Sequence, residues 1–99
     1  MYYAIMGEDH PNSLELRMSV RETHLARMRE LVKEGRMLLA GPHPAIESED
    51  PGPAGFTGSL IVAEFDSLED AREWAEADPY SKAGVFKSLE VKPFKLVLP

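Results

Sequence analysis

An α+β fold, with helices on one face of a four-stranded antiparallel sheet, is predicted by three observations: the order of the segments, the helix-end signals between them, and the apolar pattern of the strands. Four short apolar segments and two amphipathic ones succeed one another as β-α-β-β-α-β, the ferredoxin-like arrangement. "YYAIM" at 2–6 reads as the first strand, and "GEDHPNS" after it as a loop of turn formers. Asn12 with Glu15 three residues on, or Ser13 alone, supplies a helix start. The helix is expected to run to about Glu34, with Gly35 at its C-terminal cap. "RMLLAG" is the second strand, and residues 42–58 form a long connection rich in proline and glycine. "SLIVAEF" is the third strand, and Ser67 caps the second helix, "LEDAREWAEA", with Glu69 and Asp70 where the helix dipole favours them. "DPYSKAGVF" holds a further helix-start signal, and "SLEVKPFKLVL" is the last strand.

The chain of 99 residues suits one domain, spanning 1–99. It contains no cysteine, which excludes disulfides, thiolate metal sites and cysteine nucleophiles and fits a reducing compartment. No segment approaches the roughly 20 apolar residues that cross a bilayer, so no membrane association is expected. The N-terminus has neither the basic flank nor the apolar run of a signal peptide, and a cytoplasmic location is expected. A net charge of -6 argues against nucleic acid as a partner.

A sheet with one wet face alternates apolar and polar residues. "LIVAEF" does not: Leu60 and Val62 point one way, Ile61, Ala63 and Phe65 the other, and "YYAIM" and "MLLA" are also apolar on both sides. Helices cover one face only, so the other is expected to meet a second copy in a homodimer packed sheet to sheet.

The first helix carries an anomaly. At about 100° per residue, Leu14, Met18, Leu25, Met28 and Val32 gather on one side, with Val20 and Leu31 extending the stripe. Arg17, Arg21 and His24 fall within the same arc, at spacings of four and three. Unpaired buried charge is costly, so these groups need partners, a cleft, or an anion. A histidine at a helix–sheet boundary is often structural, and arginines near helix ends commonly snorkel into water. Asp78, in "ADPY", fits an N-cap followed by proline at the first helical position. Its carboxylate can also reach His24 and fix the imidazole tautomer, and two oxygens allow both roles.

Other signals are weaker. His10 and His43 share no zinc spacing with His24, and no metal is assigned. "GFTGS" at 55–59 lacks the lysine of a phosphate loop and leads into a strand, although Ser59 can point into a cleft. Trp74 and Tyr80 suit core or cleft wall, and no dinucleotide fingerprint is present, so no cofactor is expected.

The segments "RMSVRETHLARM" at 17–28, "EGRMLLAGPHPA" at 34–45, "DPGPAGFTGSLIVAEFDSLEDAREWAEADPY" at 50–80 and "AGVFKSLEVKPFK" at 83–95 resemble the YCII-related family of small bacterial proteins over nearly the whole chain. The resemblance implies a ferredoxin-like fold of the dimeric α+β barrel type and a histidine–aspartate site in a cleft. That site carries over to His24 of "HLARM" and Asp78 of "DPY". Tyr80, Ser59 and an "AGP" turn at 40–42 lie in the same matched segments. Some relatives are dehydrohalogenases or resemble muconolactone isomerases. The expected function is thus proton abstraction by His24 assisted by Asp78, leading to isomerisation or elimination. Arg17, Arg21, Ser59 and Tyr80 would hold a small anionic substrate. The alternative is a dimeric module that binds such a metabolite without transforming it.

Overall fold

The computed structural model describes all 99 residues. The elements are β1 (Tyr2–Asp9), α1 (Leu14–Ser19), α2 (Arg21–Lys33), β2 (Met37–Pro44), β3 (Phe56–Glu64), α3 (Leu68–Glu76), α4 (Pro79–Lys82) and β4 (Phe86–Phe94). The strands form one antiparallel sheet in the order β2-β3-β1-β4, so the ferredoxin-like expectation holds.

The single long helix expected before Glu34 is two helices, broken at Val20. Ser19 donates its hydroxyl to the Leu16 carbonyl at 2.6 Å, a local bond that competes with the helical ladder. Val20, β-branched, sits at φ -114° and ψ 8°, off the helical values. The break changes which residues are covered. α2 buries His24, Met28 and Leu31, whereas Val32, expected in the stripe, is exposed, as is Met18 of α1. Ser13 occupies the N-cap position of α1 but makes no side-chain capping bond, and Asn12 turns the chain with φ 58°. The other end of α2 behaves as expected. Gly35 takes φ 73°, Arg36 N–H donates to the Leu31 carbonyl at 2.9 Å, and Gly35 N–H donates to that of Val32 at 3.0 Å. Ser67 caps α3 by accepting from Asp70 N–H at 3.0 Å.

The connection expected at 42–58 is shorter than its composition suggests. β2 continues through Pro44 and β3 begins at Phe56, so residues 45–55 form the link, including a 3-10 turn at Gly52–Ala54. Pro42 and Pro44 are tolerated because β2 is an edge strand. The "AGP" segment at 40–42 is accordingly strand, not turn: Ala40 pairs with Ile61 and Pro42 with Ser59.

Odd-numbered residues of the two central strands face the helices. Tyr3, Ile5, Ile61, Ala63 and Phe65 pack with Met28 and Leu31 of α2 and with Ala71 and Ala75 of α3. Farther along, the same row becomes polar: Gly7 pairs with Ser59, and Asp9 ends β1 after a register shift at Glu8. Bare backbone is required there. A side chain on Gly7 would meet the Phe86 ring at 2.6 Å, and one on Gly58 would fall on the Gly7 carbonyl oxygen. Gly58→Ala should therefore lower stability by about 1–3 kcal/mol in urea unfolding, the usual cost of overpacking. An unchanged midpoint would show that the sheet can spread at this point.

Candidate active site

Pro79 organises the site from the sequence upward. A residue before proline is driven out of the helical region, and Asp78 sits extended at φ -62° and ψ 140°, between α3 and α4. Its carboxylate accepts Tyr80 N–H at 2.9 Å, the capping bond expected of it. The same carboxylate lies 2.8 and 3.0 Å from His24 Nδ1 through its two oxygens. Capping and pairing coexist, and both residues are buried. A carboxylate can only accept, so Nδ1 carries the proton in neutral His24. The lone pair of Nε2 is then free.

His24 lines a cavity of about 270 Å³ together with Arg17, Arg21, Leu25, Met28, Ala40, Gly41, Pro42, Phe56, Ser59, Ile61 and Tyr80. Nε2 has no partner in the chain and is not sealed from solvent; the side-chain nitrogen that is both sealed and without a hydrogen bond is Arg27 Nη1. The geometry presents a proton acceptor to the cavity and an ion behind it to stabilise the imidazolium.

The other expected site residues divide in two. Arg17 is committed within the protein. Its Nε donates to Asp9 Oδ2 at 2.9 Å, and its Nη2 to Asp9 Oδ1 at 3.2 Å, the Gly58 carbonyl at 3.1 Å and Ser59 Oγ at 2.8 Å. Its Nη1 alone is left for a ligand. Arg21 lies exposed at the start of α2, lines the cavity and makes no ion pair, so its charge is uncommitted within the chain. Ser59 accepts from Arg17 and keeps its hydroxyl proton to donate. Tyr80 stacks on His24 with ring centroids 3.9 Å apart and planes at 11°, and Arg17 lies 4.5 Å from its ring centre. Burial pushes the Tyr80 phenol up, partly opposed by the Arg17 and Arg21 cations. Trp74, expected in core or cleft wall, packs against the core and does not line the cavity.

Two further participants, Asp9 and Arg27, were not among the expected site residues. Asp9 is the counter-ion of Arg17, with side-chain exposures of 1% and 5%. Only the need of a buried arginine for a carboxylate could have pointed to it. Arg27 approaches Asp78 Oδ2 at 3.5 Å and sits one helical turn, in the i+3 position, from His24. That spacing was a readable signal.

Fold and cleft together define a ferredoxin-like protein with a buried His–Asp pair. The chain belongs to the YCII-related domain family, whose profile matches residues 1–95. Protein YciI of Escherichia coli strain CFT073 is 59% identical over 97 residues, covering 98% of this chain and 99% of the relative. An uncharacterized protein of Haemophilus influenzae is 55% identical over the same coverage. Among solved structures, the 5-chloro-2-hydroxyhydroquinone dehydrochlorinase TftG of Burkholderia phenoliruptrix, in complex with 2,5-dihydroxybenzoquinone, superposes with a TM-score of 0.83. The two are 28% identical, and the match covers 96% of this chain and 94% of that one.

The ion pairs and the phenol can each be tested in solution. Arg17→Met leaves Asp9 buried and unpaired and should cost about 3–5 kcal/mol in urea unfolding, whereas Arg17→Met with Asp9→Asn should regain part of it. Equal losses in the single and double variants would contradict the pairing. In alkaline absorbance titration, compared with Tyr80→Phe, Tyr80 should ionise above 10.0, its ordinary value. The unfolded chain then releases this proton first, so the Tyr80 contribution to stability is complete below 10.0 and is lost as pH rises through the folded value.

Proposed function

We propose that this protein is a cofactor-independent enzyme in which His24 Nε2 removes a proton from a small, hydroxylated or otherwise acidic planar substrate. The observation that carries the reading is the division of labour on one imidazole: Nδ1 held by Asp78, Nε2 open to the cavity. Asp78 orients the ring and balances the imidazolium, the role that a buried carboxylate plays behind a histidine base. Arg21 and the free Nη1 of Arg17 face the developing oxyanion, and the Ser59 hydroxyl adds a donor. Leu25, Met28, Phe56 and Ile61 supply the apolar walls that a ring would contact.

Elimination and isomerisation share the first step and diverge at the second. In an elimination, the proton goes to Nε2 and the leaving group departs with the bonding electron pair. Loss of HCl from a chlorinated hydroxyhydroquinone balances in two proton steps: His24 takes a hydroxyl proton and returns it to the chlorine-bearing ring carbon, then takes the proton of a second hydroxyl as chloride leaves with the bonding pair, giving the quinone without an external oxidant. The likeness to the dehydrochlorinase makes such rings the first substrates to try. In an isomerisation, the imidazolium returns the proton to another atom of the same molecule.

The assembly proposed with this function is a homodimer through the helix-free face of the sheet. Ala4, Met6, Leu39 and Leu60 share that face around the already buried Val62, and Leu39 is 47% exposed. A second copy would cover this apolar surface.

Chloride release from 5-chloro-2-hydroxyhydroquinone and deuterium uptake by related hydroxylated rings in D2O test the chemistry. The wild type should exceed the uncatalysed rate, and His24→Asn should fall by roughly 100- to 10,000-fold. Saturable binding of these rings with no turnover in either protein would leave a binding module instead. Sedimentation should give a dimer, and Leu39→Glu with Leu60→Glu should give monomers; a monomeric wild type would overturn the sheet-to-sheet assembly.

A further inference from the structure

Arg27 is a half-buried cation that does not line the cavity. Its Nη2 donates to the Trp74 carbonyl at 2.9 Å, and its guanidinium lies 4.4 Å from the centre of the Trp74 ring. These two contacts, at the end of α3, aim Nη1 at Asp78 Oδ2, 3.5 Å away. Nη1 is shut off from solvent and makes no hydrogen bond. Leaving such a donor unsatisfied costs energy, so the protein tolerates a penalty at this point that simple packing would avoid. Burial lowers the Arg27 pKa and Asp78 opposes the shift, but an arginine stays charged.

We propose that Arg27 is a positioning residue that shares the Asp78 carboxylate with His24, and so weakens the hold of that carboxylate on a protonated imidazole. This role rests on the reading of His24 as a base.

Charge balance supplies the reason. A buried carboxylate beside an imidazole favours the imidazolium, because the two charges then cancel. Arg27 shares that carboxylate, so Asp78 steadies the imidazolium less than an unshared carboxylate would, and protonation of His24 leaves the three groups with a net positive charge. The groups facing the imidazole are Asp78 and Tyr80 from the α4 end, Arg27 and Arg21 from α2, and Arg17 from α1. Arg17 is balanced by Asp9, and Arg21 lies exposed to solvent, where its field is screened. Arg27 is thus the cation placed to compete for Asp78. The proton received from substrate creates a transient excess positive charge, which favours giving that proton up again and so resets the site.

The test needs no substrate, so its failure is separable from failure of the proposed reaction. The His24 nitrogen signals are followed by NMR against pH in the wild type, Arg27→Met, Arg27→Gln and Arg27→Lys, with thermal unfolding of each. The pH at which the His24 signals change should move upward in Arg27→Met and Arg27→Gln. It should return toward the wild-type position in Arg27→Lys, which keeps the charge but loses the fork. An Arg27 that merely pins α3 through Trp74 would lower the unfolding temperature in all three variants and leave the His24 signals in place, and that result overturns the proposal. Arg27→Gln preserves a donor toward the Trp74 carbonyl, so the question can be answered even if Arg27→Met does not fold.

Discussion

The arrangement depends on one carboxylate. Asp78 is buried between two helices; it accepts from Tyr80 N–H at the start of α4 and from His24 Nδ1 on α2, and the Arg27 guanidinium lies 3.5 Å from it. A buried ion persists only with such partners. The consequences spread outward from it. Capping α4 places Tyr80 two residues on, with its ring against His24. Phe86, at the start of β4, meets the same tyrosine edge-on with centroids 5.8 Å apart and covers Gly7 on the sheet. The imidazole is therefore fixed by a charge at one nitrogen and by a stack on one face, and only its second nitrogen is free.

A second buried ion pair does a different task. Asp9 and Arg17 join the end of β1 to α1, and the Arg17 bonds to Gly58 and Ser59 tie that helix to β3. Arg17 and Ser59 line the same cavity as His24, and Arg17 lies 4.5 Å from the Tyr80 ring that stacks on His24. Two buried ion pairs thus flank Tyr80.

Much of this was legible in the residues. Short apolar runs and the helix-end signals at Ser67, Asp78 and Gly35 indicated the element order and several boundaries. The interruption of an apolar stripe by Arg17, Arg21 and His24 located the cavity, since all three line it. The hidden features were hidden for physical reasons. A helix break at Val20 arises from a hydroxyl choosing a nearby carbonyl, a competition between closely matched local bonds. Proline-rich sequence reads as loop, yet Pro42 and Pro44 lie in an edge strand where a missing N–H is harmless. Asp9 lies in a stretch that reads as a loop, and its pairing with Arg17 spans two elements that only the fold brings together. The apolar helix-free face was legible as a pattern, but its covering is a property of the assembly, not of one chain.

Proton abstraction at this site requires that Asp78 hold the proton of neutral His24 on Nδ1 and leave Nε2 as the acceptor. Long-range 15N–1H correlation on the wild-type protein, at a pH where His24 is neutral, reads this directly. The expected result is a protonated Nδ1 and an Nε2 shift characteristic of a bare lone pair. A protonated Nε2 in the neutral ring would contradict it, because the nitrogen facing the cavity would then be a donor, unable to accept a proton.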